Sequence, residues 1–136
     1  MTLKSSVAVR NAMLDAVETA IGQNAVMKIR SGAPPAAIAN ADTGIVIATI
    51  QLPADWLANA ANATKAKLGT WQDLQADAAG TAGHYRIYAA GGTVPHIQGT
   101  ITATGGGGDM EVSNTVLAAN QEFSVSDFSL TLPDAV

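Results

Sequence analysis

The chain has 136 residues, of which 48% are hydrophobic, 4% aromatic and 13% charged, with a net charge of −4 and no cysteine. That length supports one domain with a real core, and the missing thiols exclude disulfides and thiolate-bound metal as sources of stability. Residues 1–86 carry seven basic and six acidic side chains and residues 87–136 carry five acidic ones and no basic one, which excludes nucleic acid as the main partner because its binding draws on clustered Lys and Arg.

The charged share is about half the usual one, so part of the surface is expected to be covered in the working state. Val9, Met13, Leu14, Val17 and Ile21 recur at the spacing of one helical face. A helix over 6–21 follows, with Ser5 or Ser6 as cap, Gly22 as stop and its apolar side closing an open face or end of a sheet. Arg10, Asp15 and Glu18 interrupt this stretch, so it offers no signal-peptide core. The longest strand-type apolar run, 45–48, is far below the ~18 residues of a membrane span, and no membrane partner is expected.

Met27 and Ile29 alternate with Lys28 and Arg30, as in a half-exposed strand that Pro34-Pro35 helps to end. Residues 44–52 are apolar at both parities as far as Ile50, which predicts a central strand buried on both faces. Residues 54–70 show no clean period and read as a long loop, of the kind that is functional or becomes ordered on binding. Asn62-Ala63-Thr64, formally a glycosylation sequon, is read as plain loop. Trp56 and Trp71 bracket this stretch, and core packing and contact anchoring both remain open for each.

A short strand is expected within 68–74 and a turn over 77–83. In the strand over 84–89, Tyr85 and Ile87 oppose His84, Arg86 and Tyr88; Gly91-Gly92 reverses the chain. Residues 95–104 alternate most cleanly, with Ile97, Gly99, Ile101 and Ala103 opposite His96, Gln98, Thr100, Thr102 and Thr104. Gly105 to Gly108 connect to a strand at 109–112. In 121–132, Phe123 and Val125 share one parity and Phe128, Leu130 and Leu132 the other. That phase change places a bulge or bend at Ser126-Asp127, where one strand would serve two packing surfaces. The pattern predicts a mainly β, single-domain antiparallel sandwich or jelly roll of about seven to eight strands over 25–132, with one N-terminal helix.

Motifs for chemistry are wanting. The glycines at 105–108 are followed by no Lys-Ser or Lys-Thr, so they make no phosphate cradle. His84 and His96 lack ligand spacing, though strands of equal parity could bring them together. Asp109, Glu111 and Asn114 supply hard oxygens without the EF-hand pattern. There is no GxSxG elbow, and nothing singles out a carboxylate pair. No catalytic residue, cofactor or metal site is assigned, and the protein is not expected to be an enzyme.

Residues 10–22 (RNAMLDAVETAIG), 81–87 (TAGHYRI), 96–100 (HIQGT) and 109–132 (DMEVSNTVLAANQEFSVSDFSLTL) resemble the small structural proteins encoded beside the major capsid protein in tailed bacteriophages. More narrowly, the chain resembles the jelly-roll cement (decoration) proteins of the outer capsid surface; residues 54–72 lie outside the resemblance. It implies a virion protein, assembled in the host bacterial cytoplasm, that stabilises the shell by bridging capsomers. Its implied partners are the major capsid protein and a second copy of itself, as a dimer. Two other classes are a tail or fibre module that binds a host glycan through exposed aromatics, and a small cytosolic enzyme with a convergent polar pocket. The contact is expected in the two segments outside the sandwich, 2–6 and 54–71, through Leu3, Lys4, Trp56, Leu57 and Trp71.

Overall fold

In the computed structural model, which describes residues 3–134, the chain opens with helix α1, Val7–Ile21. Ser6 caps it by accepting from the Val9 N–H at 3.3 Å. Gly22, at φ 90°, ends it and donates its N–H to the Glu18 carbonyl, so both predicted ends hold. The strands are β1 (Val26–Ser31), β2 (Val46–Gln51), β3 (Thr64–Ala66), β4 (Trp71–Asp73), β5 (Gly80–Tyr88), β6 (Pro95–Ala103), β7 (Met110–Val112), β8 (Val116–Leu117), β9 (Phe123–Val125) and β10 (Ser129–Thr131). They outnumber the expected set because β3 lies inside the expected loop, β8 is only two residues long, and the 121–132 stretch splits into β9 and β10.

The main sheet has the order β2-β1-β5-β6-β7, with β8 pairing to β5. Its register brings Met27 between Ile50 and Ile87, and Ile29 between Ala48 and Tyr85. These six side chains therefore line one apolar face, all buried. A second layer made of two ribbons, β3-β10 and β4-β9, covers that face with α1. Aromatic rings bridge the layers: Trp56 to Trp71 at 6.1 Å between centroids, Trp71 to Phe128 at 5.1 Å, and Phe128 edge-on to Tyr85 at 5.6 Å. The layering is sandwich-like and the fold is mainly β.

Four expectations need correction. The strand at 46–51 is an edge, not a central strand: β2 pairs only with β1. Its apolar run reflects a covered edge, because Asp77 and Ala78 donate their N–H groups to the Ile47 carbonyl and Asp73 accepts from the Thr49 N–H. β6 and β7 run parallel, not antiparallel, across a connection of six residues, 104–109. Such a short parallel return is unusual, and the glycines make it. Gly105 and Gly107 take φ of 87° and 81°, and a Cβ on Gly106 would come within 2.6 Å of the Thr102 Cβ.

The other two concern burial. Arg30 of β1 is 7% exposed and Arg86 of β5 1% exposed, so the polar side of the sheet is not open: the segment 32–45 lies across it. Residues 54–70 are not a free loop. Leu57 and Lys67 form a bridge, and the chain reverses at a turn with Asn62 (φ 53°) and Ala63 (φ 59°) at its centre. Two successive positive φ values match the twist of the flanking strands. In the 121–132 stretch the phase change is a break. Phe123 in β9 faces β4, β10 pairs with β3, and Phe123 and Phe128 are both buried at 3% exposure.

Candidate interaction surface

Helix α1 turns its polar side inward. Asn11, Asp15 and Glu18 lie at spacings of four and three residues and so share a face. That face holds the backbone of the 56–66 segment. Asn11 Oδ1 accepts from the Ala63 N–H at 2.8 Å, Asp15 Oδ1 from the Ala60 N–H at 2.9 Å, and Glu18 Oε1 from the Trp56 and Leu57 N–H groups at 3.1 and 3.3 Å. Lys65 reaches back from β3 to Asp15 at 2.8 Å and Glu18 at 3.3 Å, with its side chain only 2% exposed. Burial alone would push the Lys65 ammonium down, but the two carboxylates hold it above its usual value. The hydrogen bond from Lys65, helped by the Ala60 N–H, holds Asp15 below its own.

Arg10 ties the two ends of the chain together. Its guanidinium donates to the Ser5 and Leu132 carbonyls, each at 3.2 Å, and lies 3.6 Å from Asp134. With Arg10, Asp15 and Glu18 so engaged, the outer arc of α1 is left to Ala8, Val9, Ala12, Met13, Ala16, Thr19 and Ala20, all exposed and none charged. Val9 and Met13 are each 51% exposed. This corrects the expected core face: Leu14 and Ile21 are buried, whereas Val9 and Met13 point to solvent.

A mostly apolar groove of about 410 Å³ runs beside this arc, lined by Leu3, Val9, Met13, Leu132 and Pro133 together with Lys4, Ser5, Ser6 and Arg10. A second, of about 420 Å³, continues past Leu132 along Val17 and Ala20. Leu3 is 69% exposed and Lys4 also faces solvent. Of the expected contact residues, these two line the surface.

The other three do not. Trp56, Leu57 and Trp71 are 0%, 1% and 1% exposed, and they form the centre of the core. Both indole N–H groups are satisfied inside it, Trp56 by the Gly22 carbonyl and Trp71 by the Leu68 carbonyl, each at 3.1 Å. They are not the surface anchors expected of them: Glu18 of the helix holds Trp56 and Leu57 inward, and Trp71 packs between Trp56 and Phe128. All six aromatic residues of the chain are buried, so no aromatic platform for a sugar ring is exposed.

Across the molecule, the 32–45 segment is strapped over the polar face of the main sheet. Asp42 accepts from Arg30 Nη2 at 2.9 Å, Arg86 Nη1 at 2.7 Å and the Tyr88 hydroxyl at 2.8 Å. Arg86 also donates to the Ile38 carbonyl and to Gln98, which itself donates to the Pro35 carbonyl. Burial opposes the Asp42 charge, but the bonds from Tyr88 and Arg86 and the charge of Arg30 hold its carboxyl below the usual range. His84 lies fully buried beside this network, its Nδ1 2.8 Å from the Gly32 carbonyl and its Nε2 without a partner. His96 is exposed, four residues along β6 from the partner of His84, Thr100. The two histidines therefore do not meet.

The hard-oxygen residues are likewise engaged locally. Asp109 accepts from the Thr100 N–H and hydroxyl, Glu111 from the Gly105 and Gly107 N–H groups, and Asn114 from the Val116 N–H. Among the described residues, no group of three or more His, Cys, Asp or Glu side chains is placed to hold a metal ion. No described helix is long and apolar enough to cross a membrane. In comparisons with known proteins, no family model, no curated protein and no solved structure matches the chain.

Proposed function

We propose that the protein is a structural component of a tailed-phage particle that binds the outer capsid surface and bridges neighbouring capsomers, with the major capsid protein as partner. The observation that carries this reading is the outer side of α1: with Arg10, Asp15 and Glu18 engaged in its own fold, the helix leaves uncovered an uncharged arc and an adjoining groove that is mostly apolar, with Lys4 and Arg10 in its lining. Exposed apolar surface of this kind marks a contact with another macromolecule. The resemblance of residues 10–22, 81–87, 96–100 and 109–132 to capsid cement proteins supplies the identity of that macromolecule. Weak single contacts suffice for this role, since many copies on one shell act together.

The test is binding of the purified protein to expanded capsid shells, read by co-sedimentation. Near-stoichiometric loading is expected, together with a raised rupture temperature of the loaded shell. Leu3→Glu, at an exposed site, should weaken loading without lowering the melting temperature of the free protein. Absence of binding to expanded shells, with retention on host polysaccharide, would overturn the reading in favour of a tail module.

A further inference from the structure

β7 covers only part of the edge of β6. Its parallel pairing takes in Ile101, Thr102 and Ala103, whereas β6 starts at Pro95. Which way the backbone points in the uncovered stretch follows from the neighbouring strands. The Leu52 N–H donates to the Ala25 carbonyl, so odd-numbered residues of β1 turn their backbone groups to β2 and even-numbered ones to β5. Carried across the register, Ile97 and Gly99 bond to Ile87 and Tyr85 of β5, and Gln98 and Thr100 point the other way. The Thr100 N–H agrees, since Asp109 takes it on that side at 2.9 Å. The N–H and carbonyl of Gln98 meet no partner among the described residues.

This vacant edge borders the second groove. Ile97 lines that groove from β6, Leu130 from β10, and Val17 and Ile21 from α1, with no Asp, Glu, Lys or Arg in the lining. A strand laid along Gln98 would turn alternate side chains to the same side as Ile97, and so into the groove. The side chains that enter are therefore apolar. Leu132 belongs to this groove and to the one beside the α1 arc, so a chain docked on the arc is within reach of the edge.

We infer that the vacant edge of β6 takes an extended segment of the capsid protein as an added strand. Backbone pairing at Gln98 supplies the hydrogen bonds, and the groove receives apolar residues at alternate positions of the segment. A second copy does not fit. Antiparallel pairing of two such edges about Gln98 would set Pro95 of one copy against Ile101 of the other, a place that Met110 of β7 already fills. The open stretch spans only residues 95–99, with Asp109 at its end, so it suits an arm or a loop and not the edge of another folded sheet. The inference rests on the proposed function for the identity of the partner and for nothing else.

Residue-resolved amide exchange tests it in two stages. In the free protein the Gln98 N–H should exchange about a hundredfold faster than those of Ile97 and Gly99, which β5 holds. A Gln98 amide as protected as its neighbours would mean that the edge is already covered, and would overturn the inference without any capsid. On expanded shells loaded with the protein, exchange within 95–99 should slow about tenfold or more relative to the free protein. Loading that protects α1 but leaves 95–99 exchanging as before would overturn strand addition and leave capsid binding standing. Failure to load would overturn the capsid reading, and this inference with it.

Discussion

The Asp42 carboxylate lies 2.7 Å from the Arg86 guanidinium and 2.9 Å from that of Arg30, so a single acid is the shared counter-charge of two cations that the sheet buries. Those arginines sit on β5 and β1, and Asp42 belongs to the covering strap. The ion pairs therefore act with the Arg86–Ile38 and Gln98–Pro35 hydrogen bonds to hold 32–45 onto the sheet. Asp42→Ala would leave both guanidiniums without their counter-charge and the Tyr88 hydroxyl without its acceptor. A loss of about 3 kcal/mol is expected, at the lower end for a broken buried pair because the Asp42 side chain is 36% exposed. Urea unfolding of the variant checks the magnitude, and faster amide exchange confined to 32–45 would locate it.

His84 gives the same region an acid limit. Burial, and then the nearby charges of Arg30 and Arg86, push its imidazole below the ordinary value of 6.5, against the Gly32 carbonyl, which favours the charged form. The folded state thus binds a proton less readily than the unfolded chain. Stability from this group is fully present above about pH 6.5 and falls as pH drops below it, because the unfolded state then takes up protons that the folded one refuses. Melting temperature should decline between about pH 6.5 and 5, and His84→Gln should flatten that decline. The carboxyls of Asp15 and Asp42, both held low, act separately. Their contribution is lost only below about pH 4, the unfolded carboxyl range. A wild-type curve flat down to pH 5 would refute the assignment.

Much of this architecture is legible in the residues themselves. The caps at Ser6 and Gly22, the alternation in β6 and the phase change between Val125 and Phe128 all follow from local rules, and the structure realises each. What local rules miss is cover supplied from a distance. Lys28 and Arg30 read as a wet face until Asp42, on a segment with no periodicity, is seen to close over Arg30. Val9 and Met13 read as core because apolar spacing identifies a helical face without saying which way that face points. The orienting signal is Asn11, Asp15 and Glu18 on the opposite side of the same helix: three acceptors in register, which take the N–H groups of Trp56, Leu57, Ala60 and Ala63 and the Lys65 ammonium.

That signal sets the fate of Trp56. As core, Trp56→Ala should cost about 3–5 kcal/mol, since the cavity beneath α1 is walled by Trp71 and closed by the helix. A drop of about 10 °C or more in melting temperature is expected for a chain of this size. A melting temperature that hardly moves would return Trp56 to the surface.

Glu18 should matter almost as much, although no core prediction would name it. Its Oε1 is the acceptor for the Trp56 and Leu57 N–H groups, and its Oε2 is one of the two carboxylate contacts of Lys65. Glu18→Ala strands both donors and is expected to cost about 2–3 kcal/mol, while Glu18→Gln keeps an oxygen in place and should cost about half as much. Denaturant midpoints of the two variants check the ratio. Equal losses would mean that charge, rather than the acceptor, holds the segment.

The parallel return between β6 and β7 offers the sharpest test of a sequence feature. Gly106 and Gly108 both pack on Thr102: a Cβ at 108 would lie 2.9 Å from the Thr102 backbone nitrogen, and one at 106 would lie 2.6 Å from the Thr102 Cβ. Gly105 has nothing within 4 Å but sits at φ 87°. Two kinds of cost are therefore separable within one loop. Gly105→Ala adds only backbone strain, about 1 kcal/mol. Gly108→Ala forces backbone apart and should also weaken the Gly108 N–H bond to the Thr102 hydroxyl, 3.0 Å long, for a loss of about 2–3 kcal/mol. Because Met110 and Val112 enter the core directly after this turn, the Gly108 variant should in addition lose amide protection across β7. If Gly105→Ala proves the more damaging of the two, left-handed backbone rather than close approach is what the glycine run provides.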